Sequence, residues 1–290
     1  METFYKYQSL GNDFILIDAF NKSKKLLNEK ISSANWKNFV INSCKRNFGV
    51  GADGVLVLTK SHDNKNNKQN INQEVIPELL IFNSDGSQAE ICLNGLRCAV
   101  LHLHEYHDIE KSSKIKMGKK IINFSINKNI ITTQISELIY SGIKNIIINN
   151  NQEIMGHVVS VGNPHFIIEK QVTPEWVLIN GKSIESHPDF INKTNVEFIT
   201  PAAVILNSFQ DPYKKTKSIN VLVYERGVGP TLACSSGAAA ITGYLYQTQK
   251  INILQKITLN FLGGQVNCFI DKDKQVNLQA HAKLVFKGQI

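Results

Sequence analysis

Two cysteines in closely similar settings constrain this chain more than any other feature. Residues 82–98 read FNSDGSQAEICLNGLRC, and residues 224–239 read YERGVGPTLACSSGAA. In each segment a polar loop that contains glycine precedes a Cys-x-(Asn/Ser)-Gly sequence, and an apolar run of helical character follows. Asn83 lies nine residues before Cys92, and Glu225 lies nine residues before Cys234. We predict from this repetition that the two thiols face one substrate carbon from opposite sides.

The repetition extends along most of the chain. Gly11-Asn12 precedes a strand-like run at 14–18, and Gly162-Asn163 precedes a similar run at 165–168. Asn12 stands 80 residues before the first cysteine, and Asn163 stands 71 residues before the second. The order of Gly-Asn, strand, loop, cysteine and helix therefore occurs twice, which indicates duplication with a crossover near residues 137–147. We predict an N-terminal domain of residues 1–137 plus 277–290 and a C-terminal domain of residues 138–276.

Local patterns predict the elements around the two cysteine segments. Residues 61–72 and 201–217 are interpreted as surface loops, the second of them an insertion. Residues 49–54, GVGADG, follow a predicted helix and open a strand, whereas a dinucleotide-binding fingerprint follows a strand and opens a helix. A Rossmann fold is therefore excluded. The expected helices span residues 35–46, 95–106 and 238–249, and the expected strands span 14–18, 55–58, 79–82, 221–224, 257–262, 265–270 and 284–290.

The charge balance and the cysteine count exclude several classes of function. The chain carries 32 Lys and Arg against 24 Asp and Glu, a net charge of +8, but its basic residues are spread thinly. Nucleic-acid binding needs a clustered basic stripe, so no nucleic-acid partner is expected. The five cysteines show no CxxC spacing, which argues against a structural zinc site. So few cysteines in a chain of this length also argue against a disulfide scaffold. With no signal-like segment and no apolar run of membrane-spanning length, we expect a cytoplasmic protein without a membrane partner.

Three histidines near the end of the helix predicted at 95–106 require an interpretation. His102, His104 and His107 lie beside Glu105, but their spacing matches no metal-binding motif. We interpret them as a solvated helix end, and we expect no metal.

A cysteine at the start of a helix meets unpaired backbone N–H groups and the positive end of the helix dipole, which lower a thiol pKa. Inverting a carbon that bears a hydrogen needs a base on one face and an acid on the other. A thiolate and a thiol meet that requirement with no metal or organic cofactor, and the same helix starts would bind the α-carboxylate of a small amino-acid substrate. The alternative is that Cys92 and Cys234 are buried core thiols, the role that we assign to Cys44, Cys98 and Cys268.

At these motifs the chain resembles the diaminopimelate epimerase family, whose members act without pyridoxal phosphate in the lysine and peptidoglycan pathways. The resemblance covers essentially the full length, and its motifs are specific together although each is weak alone. The matching segments are Gly11-Asn12-Asp13-Phe14, Gly49 to Asp53, Asn83 to Ser87, Cys92-x-Asn94-Gly95-x-Arg97-Cys98, Gly162-Asn163-Pro164-His165, Asn195 to Phe198, Glu225-Arg226-Gly227 and Ala233-Cys234-x-Ser236-Gly237.

The resemblance implies a fold and a set of site residues. The fold is α/β of the α+β kind, with two similar pseudo-symmetric domains, each a curved, mainly antiparallel sheet around a central helix, and the active site in the interdomain cleft. Cys92 and Cys234 would be the acid/base pair, and His165 and Glu225 would influence their ionisation. A homodimer is implied, with Phe286 at an aromatic contact. The substrate-binding residues would be Asn12, Asn83, Leu93, Asn94, Asn163, Asn195, Glu225, Arg226, Ser235 and Ser236, with backbone donors at 93–94 and 235–236.

The chain departs from the family pattern at four positions. Leu93 and Ser235 replace the glycines that normally follow the two cysteines, Pro230 stands where Glu is usual, and Gly54 where Gln is frequent. Glycine suits a close approach of backbone to ligand, so Leu93 could narrow a carboxylate pocket. These departures keep two alternatives open, a racemase of another amino acid and a catalytically impaired ligand-binding protein.

Overall fold

The structure is a computed structural model that describes residues 2–61, 76–89, 91–200 and 217–290. It divides the chain into two compact units, Met1–Thr133 with His281–Ile290, and Gln134–Ala280. The predicted loop at 61–72 lies, apart from its first residue, outside the described residues, and so does the predicted insertion at 201–217, apart from its last. The domain bounds predicted from the sequence lie close to this division without coinciding with it, and they stay a prediction.

The first unit is a mixed sheet with a helix on its inner face. Helix α3 carries eleven buried residues, Leu93 to Leu103, and packs against strands at the start, middle and end of the unit. The elements in chain order are β1 (Thr3–Ser9), β2 (Asn12–Asp18), α1 (Lys24–Ser32), α2 (Ala34–Cys44), β3 (Gly54–Lys60), β4 (Pro77–Asn83), β5 (Gln88–Ala89), α3 (Leu93–Tyr106), β6 (Ser112–Met117), β7 (Lys120–Asn127) and β8 (Ile130–Ile135), with β18 (Lys283–Gln289) returning beside β1.

The second unit has the same kind of architecture. Helix α5 carries ten buried residues and begins with Ser-Ser-Gly-Ala-Ala-Ala, in which alanine favours the helix intrinsically. The elements are β9 (Ile139–Ile148), a 3-10 turn (Asn149–Asn151), β10 (Gln152–Ser160), β11 (Pro164–Glu169), α4 (Pro174–Glu185), β12 (Asn195–Ile199), β13 (Lys217–Glu225), β14 (Gly229–Thr231), α5 (Ser235–Gln247), β15 (Ile257–Phe261), β16 (Gly264–Ile270) and β17 (Val276–His281).

Strand pairing repeats between the two units. In the first, β1–β2 is antiparallel, β2–β3 parallel, β3–β4 and β4–β5 antiparallel, β4–β6 parallel, and β6–β7 and β7–β8 antiparallel. In the second, β10–β11, β11–β12, β12–β13, β13–β14, β13–β15, β15–β16 and β16–β17 follow the same sequence of directions. Each helix that follows a cysteine enters at the same point of this order. The predicted duplication and fold class are confirmed.

Each unit has its own apolar core between sheet and helices. In the first, Trp36 and Val40 of α2 pack with Phe82 and the buried strand residues of β2 and β3. In the second, Phe166, Phe198 and Val177 occupy the corresponding layer. Burying one such side chain contributes about 1.5–3 kcal/mol, so these clusters hold the strand ends that carry the polar residues.

Most predicted elements are present within a few residues of their expected bounds. The GVGADG segment follows α2 and opens β3, as predicted. Helices α1 and α4 and several strands, among them β10, β14 and β17, were not predicted. The stretch 137–147, expected to be a crossover, contains most of strand β9, which pairs with β10.

Candidate functional site

Cys92 is the N-cap residue of α3. Its backbone is extended, with φ −147° and ψ 102°, and its Sγ accepts the N–H of Gly95 at 3.4 Å. The close packing of the helix start explains the glycine, because a Cβ at residue 95 would lie 2.9 Å from Leu56 Cδ2. The thiol is half-buried. It therefore faces the backbone donors of the helix start, as the sequence predicts.

A chain of hydrogen bonds fixes two of the predicted substrate-binding amides. The buried Arg97 donates through Nη2 to Asn94 Oδ1, and Asn94 Nδ2 donates to Asn12 Oδ1. Asn12 Nδ2 then donates to Asp53 Oδ2 at 3.2 Å. A guanidinium only donates, and an ionised carboxylate only accepts. The two ends of the chain therefore decide which way each amide points.

The other two predicted residues of this unit differ from each other in exposure. Asn83, at the end of β4, is exposed and donates through Nδ2 to Ser87 Oγ at 2.9 Å within its own loop. Leu93 is buried at the first position of α3, with a relative exposure of 4%. The structure thus joins Asn12 to Asn94, whereas the side chain of Asn83 donates within its own turn.

Cys234 caps α5 as Cys92 caps α3. Its φ is −119° and its ψ 113°, and its Sγ accepts the N–H of Gly237 at 3.3 Å. Ser236 Oγ lies 3.3 Å from the same sulfur. A Cβ at residue 237 would meet Glu197 Oε1 at 2.5 Å, so the carboxylate of Glu197 lies directly against the helix start.

A second hydrogen-bonded chain leads to Cys234. The fully buried His165 lies with Nδ1 2.7 Å from Glu197 Oε1 and with Nε2 3.1 Å from Asn163 Oδ1. Asn163 Nδ2 donates to Ser236 Oγ at 3.3 Å. The contact of Asn163 with Ser236 repeats that of Asn12 with Asn94 in the first unit. The duplication thus extends to this pair of contacting side chains, although the helix residue donates in the first unit and accepts in the second.

Asn195 links two loops of the second unit. Its Nδ2 donates to the carbonyl oxygen of Pro164 at 3.0 Å, and its Oδ1 accepts the backbone N–H of Arg226 at 3.0 Å. The exposed guanidinium of Arg226 donates to the carbonyl oxygen of Asn192 at 3.3 Å. Glu225 is half-buried and accepts from Thr231 Oγ1 at 2.6 Å. Asn195 therefore positions the backbone from which Glu225 and Arg226 project.

The expectation that helix N-termini lower the thiol pKa is wrong for Cys234. Burial of the thiol raises its pKa well above the usual value, and the negative charges of Glu225 and Glu197 raise it further. Hydrogen bonds from Ser236 and from the N–H of Gly237 act in the opposite direction but do not outweigh them. Cys234 is therefore a thiol at neutral pH.

The expectation of a solvated helix end at the histidines is also wrong. His102 is fully buried, and its Nε2 lies 3.2 Å from Asp18 Oδ2, while His107 Nε2 lies 2.8 Å from the same oxygen. Burial of Asp18 opposes its ionisation, yet the hydrogen bonds from His102, from the N–H of Phe20 and from His107 lower the pKa of this carboxyl. The ligand atoms of Asp18, His102 and His107 lie within 4.8 Å of one another. Because the carboxylate already accepts from both rings, we interpret the group as a hydrogen-bond network, and the absence of a metal stays a prediction.

The remaining cysteines and the predicted dimer contact lie apart from the two helix starts. Cys44, Cys98 and Cys268 are buried, in agreement with a packing role, and burial raises the pKa of Cys44 to about 11. Phe286, on β18, is exposed and packs edge-on against Phe4 with ring centroids 5.9 Å apart. Its role between subunits stays a prediction.

Sequence analysis missed three residues that organise the site, Arg97, Asp53 and Glu197. Arg97 follows Asn94 by three residues on a helix, a spacing that places both on one face. Glu197 is the single charged residue of the otherwise apolar strand end Val196 to Ile199, and buried charges are seldom found unpaired. The spacing of Arg97 from Asn94 and the isolated charge of Glu197 can both be recognised in the sequence, whereas no such signal marks Asp53.

Among the described residues, no helix has the length and apolarity to cross a membrane.

Comparisons with known proteins agree with this geometry. The sequence profile of the family described as diaminopimelate epimerase matches residues 4–134 and 157–284. A diaminopimelate epimerase of Prochlorococcus marinus strain NATL1A is 34% identical over 311 residues, which cover 99% of this chain and 98% of that protein.

Solved structures add evidence on the fold alone. A probable proline racemase from Agrobacterium radiobacter K84 has a TM-score of 0.68 at 8% identity, covering 100% of this chain and 93% of its own. A phenazine biosynthesis protein of the PhzF family from Bacillus anthracis has a TM-score of 0.67 at 12% identity, covering 100% and 98%. At such low identity these proteins share the architecture, and nothing about the substrate follows from them.

Proposed function

This chain belongs to the diaminopimelate epimerase family, and we propose that it interconverts LL- and meso-diaminopimelate by moving the α-proton between two cysteines. The observation that carries the proposal is the duplicated N-cap geometry, in which Cys92 Sγ and Cys234 Sγ each accept a backbone N–H at the start of a buried helix. The proposal requires both sulfurs to approach one carbon from opposite faces. It makes the protein an amino-acid epimerase of the isomerase class, independent of pyridoxal phosphate, that supplies precursors of lysine and peptidoglycan.

The proton balance of the proposed reaction is simple. The thiolate of one cysteine takes the α-proton, and the electron pair of the broken C–H bond spreads from the α-carbon onto the carboxylate. The thiol of the other cysteine then gives its proton to the opposite face of that carbon. Because burial raises the pKa of Cys234, this thiol enters as the proton donor and Cys92 as the base in the first direction. The reverse direction exchanges the two roles.

Charge on the carboxylate needs stabilisation while the α-carbon lacks its proton. Backbone donors at residues 93–94 and 235–236, at the starts of α3 and α5, are suited to an anion. The fixed amides of Asn12, Asn94 and Asn163 are suited to the polar groups at the other end of the substrate. Asn83, Asn195, Glu225 and Arg226 complete the proposed binding set, with His165 and Glu225 acting on the ionisation of the cysteines.

Chiral chromatography of products tests the proposal directly. Purified protein should convert LL-diaminopimelate into the meso isomer, and Cys92→Ala and Cys234→Ala should each lower the rate by at least about 100–10,000-fold, the usual contribution of a general acid or base. Cys268→Ala is the matched control, because its thiol is buried in β16. Full activity in either of the first two variants would overturn the assignment.

A second candidate is a racemase of another amino acid on the same fold. The observation that favours it is the buried Leu93 directly after the first cysteine, where a side chain replaces the usual glycine beside the proposed carboxylate site. Turnover of another amino acid, with none of diaminopimelate, would select this candidate. Binding of diaminopimelate without turnover would instead indicate a catalytically impaired protein.

A further inference from the structure

Glu197 is buried where packing alone does not require a carboxylate. Strands β2 and β3 of the first unit correspond to β11 and β12 of the second. Phe14 of β2 lies beside Gly54, and His165 of β11 lies beside Asn195. Glu197, two residues after Asn195, therefore corresponds to Leu56, two residues after Gly54. Leu56 packs against Gly95 at the start of α3, as Glu197 packs against Gly237 at the start of α5. A leucine therefore satisfies the packing.

The polar replacement occurs as a pair. His165 and Glu197 stand where the first unit has Phe14 and Leu56, and both side chains are fully buried with Nδ1 and Oε1 2.7 Å apart. The second oxygen, Oε2, has no hydrogen-bond partner among the described residues. Desolvating two charged groups costs free energy that an apolar pair would not incur, which points to a role other than stability.

The hydrogen bonds that lead from Glu197 to Cys234 indicate what the buried pair does. Because Nδ2 of Asn163 donates to Ser236, its Oδ1 faces His165 and can only accept, so Nε2–H of the ring donates to it. The carboxylate of Glu197 accepts from Nδ1–H, which makes the ring a donor at both nitrogens. The amide of Asn163 then presents Nδ2 to Ser236 Oγ. Ser236 Oγ accepts from this amide, and its hydroxyl proton is then free to donate to the thiolate of Cys234, whose Sγ lies 3.3 Å away.

We propose that Glu197 is a positioning residue for the thiolate of Cys234, acting through His165, Asn163 and Ser236. By keeping His165 a donor at both nitrogens, it holds the Asn163 amide in the orientation that frees the Ser236 hydroxyl for the sulfur. Without that pair the amide can turn over, and Ser236 then donates to Asn163 Oδ1 in place of the sulfur. The inference deepens the proposed function, since it concerns the return of the proton to Cys234 in each catalytic cycle.

The charged groups around the sulfur have opposing effects. Glu225 and Glu197 place negative charge near Cys234 and raise its pKa, whereas the hydrogen bonds of Ser236 and of the Gly237 N–H lower it. Removing Glu197 alone would mix these effects. Replacing both members of the pair by the residues of the first unit, His165→Phe/Glu197→Leu, removes the carboxylate together with the ring that it faces. Loss of the negative charge alone would favour the thiolate of Cys234, so a slower reaction of this cysteine reports the lost Ser236 hydrogen bond.

The kinetics of thiol modification test this inference without a substrate. The rate of Cys234 modification by methyl methanethiosulfonate at about pH 8, read by mass spectrometry of its peptide, follows the thiolate fraction. Losing the Ser236 hydrogen bond raises the pKa of Cys234 and so lowers its thiolate fraction. Because a more basic thiolate is also more nucleophilic, we expect modification to slow by about three- to tenfold. We expect this decrease in His165→Phe/Glu197→Leu and in Ser236→Ala, and no further decrease when they are combined. The control Glu169→Gln, on the same strand as His165, should leave the rate unchanged.

Several outcomes would overturn the inference. An unchanged or faster rate in the double variant shows that the pair does not act through the hydroxyl, and additive decreases show that Ser236 acts independently of it. Nitrogen NMR of histidine-labelled wild-type protein provides a second measurement, with the His165 signal assigned by its loss in His165→Gln. Two protonated ring nitrogens are expected at neutral pH, and a bare Nε2 contradicts the proposed donor direction. Both readouts are independent of epimerase turnover, so an inactive protein with the expected rates refutes only the proposed reaction.

Discussion

The duplicated helix starts allow a matched pair of substitutions, Gly95→Ala and Gly237→Ala. At residue 95 the added Cβ lies 2.9 Å from Leu56 Cδ2, the end of a side chain, whereas at residue 237 it lies 2.5 Å from Glu197 Oε1 and 3.0 Å from its Cδ. Both neighbours are fully buried, but only Glu197 is held by an ion pair, with His165. The second site therefore has less room to adjust.

The expected difference follows from three contributions. Alanine is intrinsically favoured over glycine in a helix by about 1 kcal/mol, and overpacking costs about 1–3 kcal/mol. At residue 237 the methyl also displaces the carboxylate from His165, and a hydrogen bond to a charged group contributes about 1.5–3 kcal/mol. We expect Gly95→Ala to lower the free energy of unfolding by no more than about 2 kcal/mol and Gly237→Ala by about 2–4 kcal/mol.

Urea denaturation followed by tryptophan fluorescence measures both variants. The two tryptophans, Trp36 and Trp176, lie one in each unit, so single Trp→Phe backgrounds report on each unit separately. An equal loss of stability in the two variants, or a larger loss in Gly95→Ala, would refute the view that the buried ion pair makes the second helix start less tolerant.

Three further predictions concern other parts of the chain. Arg97→Met removes the donor that orients Asn94, and it should raise KM about tenfold with a smaller change in kcat, measured by steady-state kinetics. Asp18→Asn should lower the free energy of unfolding by about 1–3 kcal/mol at neutral pH. Since the folded-state pKa of Asp18 is lowered, this contribution is present above about pH 4 and is lost as the pH falls further, so denaturation curves of variant and wild type should converge in acid. We expect light scattering to give the mass of a dimer for the wild type, and Phe286→Asp should reduce it to that of a monomer.

The duplicated order of motifs was sufficient to predict both cysteine N-caps, whereas the fold class was implied by the resemblance to a known family. It could do so because capping, helical periodicity and Gly-Asn turns are local, and each is written in a few consecutive residues. Strand β17 and helices α1 and α4 carry weaker local patterns. Their form depends on neighbours that are distant in sequence.

The parts of the site that sequence analysis missed depend on contacts between distant residues. The raised pKa of Cys234 comes from burial and from Glu197 and Glu225, which reach the sulfur through folding and not through adjacency. His102 was assigned to a solvated helix end because the spacing of the three histidines matches no metal-binding motif, yet Asp18, on a strand 84 residues earlier, accepts its hydrogen bond. Both errors concern electrostatics, where the decisive partner lies far away in sequence.

The origin of the α-hydrogen in each isomer tests the central claim most directly. LL-diaminopimelate is incubated with the protein in heavy water, and NMR follows deuterium at the α-carbon in product and in recovered substrate before equilibrium. Two cysteines on opposite faces predict that the meso product carries solvent deuterium from the first turnover. The recovered substrate should keep its hydrogen, because a thiol that has taken one proton returns that same proton. Deuterium that enters recovered substrate as fast as product would show a single base and would contradict the account.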